Sequence, residues 1–372
     1  MTSEDSSHGS RNTEAAWRSW ARWFVASALG TCAFVYLLVL IIDPYDSVPF
    51  SPGWERYPVT SQSRPYNVKL ARRGRFDSAV IGNSTSMLLH PKDLGEHFGG
   101  TFVSLAMVAA SPYEQLRMLE LFNRSHGNTR TLIVGLDPFW CAPDGSPRQL
   151  PPMIGFPLWE WLYDENQWND LPPFNKKTLQ HTRSQLRALL GLRIRYPMRP
   201  DGYRDFTLTY RTDRDPETVR ERIYGEKPWP LERTRDEVAP EFPELDALAR
   251  ELARFPADTL KVAYFVPFHA HHQPDTGSEQ EALWNGCKAK AARVLGAVPN
   301  TVVLDFMIRS PLTTEDRNYV DAQHYTTAVA KDLAALLHRG ARSDGQDAEL
   351  FKILAPAGAK GVSVPASGTP SG

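Results

Sequence analysis

Cysteine is scarce, with three in 372 residues. Cys32 lies inside an apolar run, so Cys141 and Cys287 are the only pair open to a disulfide, and a multi-bridge framework is excluded. Spacing does not give their distance, and they are expected as two free thiols. Neither CxxC nor HExxH occurs, so no metal or cofactor is implied. His269, His271 and His272 share one short loop, yet three imidazoles so close in sequence rarely aim at one ion. They read as structural, with His269 as a candidate pocket residue at a strand end. A dominant charge is also missing: 42 Lys+Arg against 43 Asp+Glu leave a net of -1. That offers no field for a nucleic-acid backbone, and the short cluster Arg72, Arg73, Arg75 lacks interleaved aromatics. No internal repeat is visible.

Long apolar runs are limited to one, FVASALGTCAFVYLLVLII from Phe24 to Ile42. Roughly 19 residues at about 1.5 Å each cover the hydrocarbon core once. Core helices of soluble proteins seldom run so far without a charged or amide side chain. Trp17, Trp20 and Trp23 before the run and Tyr45 after it suit the two membrane interfaces. Arg11, Arg18 and Arg22 precede the run, and the first cation after it is Arg56. The positive-inside rule then predicts a cytoplasmic segment 1–23, a single span 24–42 in the inner membrane, and a periplasmic or extracellular remainder. A cleavable signal peptide is disfavoured because Ile41-Ile42-Asp43-Pro44 follows where a small-x-small site is needed.

Beyond a Pro-rich linker, residues 43–75, β-branched runs alternate with helical patterns. Strands are predicted at Ser78–Gly82, Phe102–Leu105, Thr131–Gly135, Lys261–Val266 and Thr301–Leu304. Helices are predicted at Tyr113–Phe122, Glu244–Arg254, Glu279–Leu295 and Thr326–His338. Alternation of this kind predicts an α/β domain over 76–340, a three-layer sandwich around a central parallel sheet. The rhythm fails between 138 and 240, where Trp159, Trp161, Trp168 and Trp229 fall in an apparent insertion after the third strand, either a lid or groove or a packed elaboration. From Gly340 small residues dominate, so 341–372 is expected to be a disordered, dispensable tail.

Two local features carry chemistry. Val80-Ile81-Gly82-Asn83-Ser84-Thr85-Ser86 takes a buried strand into a polar turn, which sets a serine at the carboxyl edge of the sheet. Asp321-Ala322-Gln323-His324-Tyr325 opens the last helix, and an Asp three residues before a His can fix the tautomer of a general base. By themselves, turn chemistry and an N-cap Asp explain the same residues. His90 before Pro91 reads as a turn residue.

Joined by order, the two features resemble the SGNH hydrolase superfamily, whose nucleophile follows the first strand and whose DxxH precedes the last helix. The texture of SLAMVAASPYEQL, LIVGLD and DAQHYT is similar to its membrane-anchored cell-surface O-acyltransferase subgroup, which includes the D-alanine transfer and alginate O-acetylation proteins. The resemblance implies an SGNH or flavodoxin-like sheet, with Ser84 as nucleophile, His324 as base and Asp321 as its orienting partner. Ser86 is the alternative nucleophile. Three positions depart from the family: Asn83 stands where Asp is common, Ala109-Ala110-Ser111 where a loop glycine is expected, and Gly135-Leu136-Asp137 in place of Gly-x-Asn. An ionised Asp137 would repel an oxyanion, whereas a protonated one would donate to it; the N–H groups of Ser84 and Ala110 are further donors. The resemblance implies transfer or hydrolysis of a small O-acyl group, acetyl first, on a cell-surface glycan or polymer. A non-catalytic module partnering a multi-spanning membrane acyltransferase is the alternative.

Overall fold

The computed structural model describes residues 5–342 and 349–358, apart from 55, 58–62, 145–159, 193–197, 209–214, 227–230 and 232–238. Two compact units are present: 1–59 with 166–195, and 60–165 with 196–372.

In the first unit, α1 runs from Asp5 to Ile42, and its stretch Ala16–Ile42, which holds an 18-residue window of mean hydropathy 2.5, is long and apolar enough to cross a membrane. The first part of the expected linker is a packed turn. Asp43 is fully buried, accepts from the N–H groups of Ser47 (3.1 Å) and Val48 (3.0 Å), and lies 3.8 Å from the Arg56 guanidinium. Arg56 Nε also donates to Ile42 O (3.2 Å), satisfying a carbonyl left open at the helix end. Within the expected linker the second unit begins with another element, α2 (Ser63–Arg72).

The remaining elements of the second unit are β1 (Ser78–Ile81), α3 (Pro91–Phe98), β2 (Phe102–Ser104), α4 (Pro112–Ser125) and β3 (Thr131–Leu136). The chain then returns to the first unit for α5 (Lys176–Leu189). It resumes with α6 (Pro216–Gly225), α7 (Pro243–Leu252), β4 (Leu260–Phe265), α8 (Glu279–Gly296) and β5 (Thr301–Asp305). The short α9 (Pro311–Thr314), α10 (Thr327–Ala341) and β6 (Lys352–Ala355) complete it.

The sheet has the order β2-β1-β3-β4-β5-β6, parallel except for β6. Strands β1, β2, β3 and β5 are buried along their whole length, as continuous β-branched runs require. The step from β1 to β2 runs opposite to those from β2 to β3, β3 to β4 and β4 to β5. Right-handed crossovers therefore put α3 on one face and α4, α7 and α8 on the other. Contacts agree: α10 packs on α3, and α7 on both α4 and α8. The order also reverses between β1 and β3, which opens a crevice at their carboxyl ends.

Helix starts follow local chemistry. Ser111 and Glu114 form a capping box on α4, Ser278 and Thr326 cap α8 and α10, and His90 caps α3 by accepting from Lys92 N.

Two expectations are corrected. Cys141 and Cys287 are joined in a disulfide with Cα atoms 5.5 Å apart, tying the start of the insertion to α8. Tertiary folding brings together thiols separated by 146 positions, which spacing does not reveal. The stretch 349–355 is not a disordered tail: β6 pairs antiparallel with β5, and Phe351 is fully buried, its ring 5.0 Å from that of Phe306. Averaging over the Gly- and Ala-rich end hid the apolar run Leu350-Phe351-Lys352-Ile353-Leu354. Residues 359–372 and 343–348 of the expected tail, and Trp159 and Trp229 of the insertion, lie outside the described residues.

Candidate active site

Ser84 sits just past β1, in the turn that becomes a short 3-10 helix, Ser86–Leu88. Asn83 shapes that turn: its Oδ1 accepts from Thr85 N (3.0 Å) and Thr85 Oγ1 (2.7 Å). The Ser84 side chain is left partly exposed, with its Oγ 2.8 Å from His324 Nε2.

Asp321 and His324 lie in a narrow loop closed by a bridge between Tyr319 and Tyr325. Asp321 Oδ1 accepts from the backbone of Gln323 (2.9 Å) and His324 (2.8 Å), and its Oδ2 stands 2.8 Å from His324 Nδ1. Burial pushes the Asp321 carboxyl up, but the hydrogen bond and charge of His324, with those two N–H groups, outweigh it and hold the group below the usual range. An ionised carboxylate only accepts, so His324 carries its proton on Nδ1 and offers Nε2 as acceptor to the Ser84 hydroxyl. Ser84, His324 and Asp321 are thus one hydrogen-bonded chain built from loops 240 positions apart.

Three contacts fix the loop. Tyr325 OH donates to Thr85 O (2.5 Å), beside the serine; Tyr319 OH donates to Pro267 O (2.9 Å); and His269 N–H donates to Ala322 O (3.0 Å). Such contacts hold the Ser84–His324–Asp321 alignment in place.

Ser86 is not part of this chain. It is fully buried and its Oγ is 3.0 Å from Tyr264 OH. A side chain at Gly82 or Gly135 would put its Cβ 2.3 Å or 2.0 Å from that oxygen, so the two glycines make the space Ser86 occupies.

The other expected residues take different places. Asp137 is buried beside Asn83 and Gln115, with Oδ1 accepting from Phe139 N (2.8 Å). The N–H of Ala110 donates to Met107 O (3.2 Å) and so is taken, a correction to its expected role as an oxyanion donor. Among the described residues the N–H groups of Ser84, Val108 and Ala109 have no hydrogen-bond acceptor. Ala109 adopts φ +48, the left-handed conformation that a glycine in this loop would supply. Carbonyls of the loop are held from outside by Asn67 (on Ala106 O, 3.1 Å), Arg64 (on Val108 O, 3.1 Å) and Gln115 (on Ala110 O, 3.1 Å). Arg64 is in turn paired with buried Glu114. His269 lies to the side, its Nε2 3.2 Å from Asp316 Oδ1.

Sequence reasoning missed the insertion's own contributions. Phe206 meets the His324 ring edge-on at 5.0 Å, and Glu226 Oε2 accepts from Gln323 Nε2 at 3.4 Å. Burial raises the Glu226 carboxyl, and the charge of Asp321 raises it further. His272 is buried with neither ring nitrogen partnered among the described residues, and burial lowers it to about 4. Nothing in their local sequence distinguishes these three from other aromatic or polar residues of their segments.

Asp137 supports a pH test. Burial lifts it from 3.8 to about 7, against the opposing hydrogen bonds from Phe139, Trp140, Gln115 and Asn83. The folded pKa is above the unfolded one, so its contribution to stability is complete below pH 3.8 and is lost as pH rises through about 7. Asp137→Asn, which cannot ionise, is expected to flatten the fall in melting temperature across that window and to melt several degrees above wild type at pH 8. Parallel melting curves against pH would show that the carboxyl does not titrate there.

No protein-family model and no curated protein matches the chain.

Proposed function

We propose that the protein is a membrane-anchored serine acyl-enzyme of SGNH type, acting outside the cytoplasm on a small O-acyl group of a cell-surface glycan or polymer. The observation that carries this reading is the unbroken contact from Ser84 Oγ through His324 to Asp321, at 2.8 Å on each side of the imidazole. Its position agrees with the reading, since the serine follows β1 at the crevice where the strand order reverses. The strand order β2-β1-β3-β4-β5 is the flavodoxin-like one that the resemblance implies.

In this reaction Ser84 Oγ attacks the acyl carbonyl while its proton passes to His324 Nε2. Asp321 stabilises the imidazolium, which then returns the proton to the departing alkoxide. A second hydroxyl, from the acceptor or from water, attacks the acyl-serine by the same route and restores the enzyme. The oxyanion is met by the free N–H of Ser84, with Ala109 in place of the expected Ala110. The contacts of Phe206 with His324 and of Glu226 with Gln323 support an acceptor side bordered by the insertion. The disulfide supports an oxidising compartment, and Arg11, Arg18 and Arg22 ahead of the span support a cytoplasmic N-terminus.

The test is labelling by a fluorophosphonate, which phosphonylates an activated serine with loss of fluoride. The intact chain is expected to label, and Ser84→Ala not to, with Ser86→Ala retaining the label. Equal labelling of wild type and Ser84→Ala would refute the assignment.

A further inference from the structure

The first unit holds a feature unrelated to the triad. It rests on reading α1 as a membrane span. The stretch from Trp168 into α5 does not stop at the end of the apolar helix but runs back along it. Tyr36 OH donates to Pro172 O (3.2 Å), and the Tyr36 ring meets that of Phe174 edge-on at 5.7 Å. Tyr36 precedes the last helical residue, Ile42, by a helical rise of about 9 Å. Pro172 and Phe174 therefore lie beside the last turns of the helix, not beyond its end.

The attachment is firm. Tyr45 OH is 2.9 Å from His181 Nδ1, Ser47 Oγ donates to Asp170 O (2.8 Å), and the buried Asp43–Arg56 turn closes the helix end. A segment held at these points moves with the helix. Its outward side is aromatic and basic: Phe50, Trp168 and Phe174 are 56%, 71% and 50% exposed, with Phe50 and Trp168 stacked at 6.2 Å. Helix α5 carries Lys176, Lys177, Arg183 and Arg187 and no carboxylate, and Phe174, Leu179 and Arg183 share a shallow hollow. In water these rings would form an uncompensated apolar patch. At the edge of a bilayer, rings suit the headgroup level and long cations reach the phosphates.

We propose that residues 166–189, with Phe50, form a collar that beds Trp168 and Phe174 in the headgroup layer and sets the α5 cations against anionic lipid. The collar fixes the depth and rotation of the span, which a single apolar helix leaves free.

The test uses the full chain with Cys32→Ala and single cysteines introduced by Leu29→Cys, Trp168→Cys or Phe174→Cys. Each carries an environment-sensitive nitrobenzoxadiazole label in vesicles of phosphatidylcholine with or without phosphatidylglycerol, and nitroxide lipids act as quenchers. Labels at 168 and 174 are expected to emit to the blue of the free cysteine adduct and to be quenched roughly twofold by headgroup-proximal nitroxides. Quenching is expected to increase with phosphatidylglycerol, and Lys176→Gln with Arg183→Gln to remove that increase. The Leu29 label reports the span alone. If mid-chain nitroxides do not quench it, the span fails and the collar with it. If it is quenched while 168 and 174 match the free adduct, the collar alone is overturned. A blue shift without lipid quenching would mean a protein neighbour, such as a second copy, and would overturn the lipid assignment. Quenching indifferent to phosphatidylglycerol would overturn the role of the cations.

Discussion

Asp321→Asn is expected to lower turnover of a small activated ester by about 10²- to 10⁴-fold while leaving the fold intact. The amide keeps the size of the carboxyl and can still cap the turn by accepting from the N–H groups of Gln323 and His324. Facing His324 Nδ1, however, it presents either an NH₂ that favours the wrong tautomer or a neutral oxygen that cannot stabilise an imidazolium. The Ser84 proton then has no favourable destination. Ser84→Ala and His324→Ala are expected to be at least as severe, and the combined losses not to add, because the three residues act as a unit. The measurements are steady-state hydrolysis of p-nitrophenyl acetate and near-UV circular dichroism of each variant. Wild-type turnover in both Asp321→Asn and Ser84→Ala would remove the triad from the mechanism.

Phe351→Ala is expected to cost about 3–5 kcal/mol, and truncation after Arg342 at least as much. The ring is fully buried against Phe306, and it fits because Gly340 has no side chain: a Cβ there would stand 3.0 Å from Phe351 and 2.8 Å from Leu304. Alanine at 351 leaves a cavity that rigid neighbours only partly close. Truncation also strips β6 from β5, exposing the edge of the sheet at Val303, Leu304 and Asp305 to unpaired association. Roughly 2–4 °C per kcal/mol applies to domains of about 150–250 residues and less to larger ones, so Phe351→Ala should melt on the order of 5 °C lower. A truncated chain that melts with the full-length protein would mean that 349–355 contributes nothing to the fold.

Much was decided by the sequence itself, wherever the signal is local. A helix long and apolar enough to cross a membrane shows in an unbroken apolar run, the five parallel strands in continuous β-branched runs, and α4, α8 and α10 in caps followed by periodic apolar residues. Ser84, Asp321 and His324 were legible as types at element ends, because a strand end and a helix start are written in neighbouring residues. Tertiary structure alone decided what depends on distance between remote segments. It brought Ser84 Oγ to His324 Nε2, joined Cys141 to Cys287, and gave Phe351 a place beside Phe306. It also enclosed Ser86 behind Gly82 and Gly135, used up the Ala110 N–H on Met107, and set Phe206 and Glu226 of an unpatterned insertion beside His324 and Gln323. Period and capping are properties of a few consecutive residues, whereas a hydrogen bond or a buried ring is settled by whichever surface folding brings opposite it.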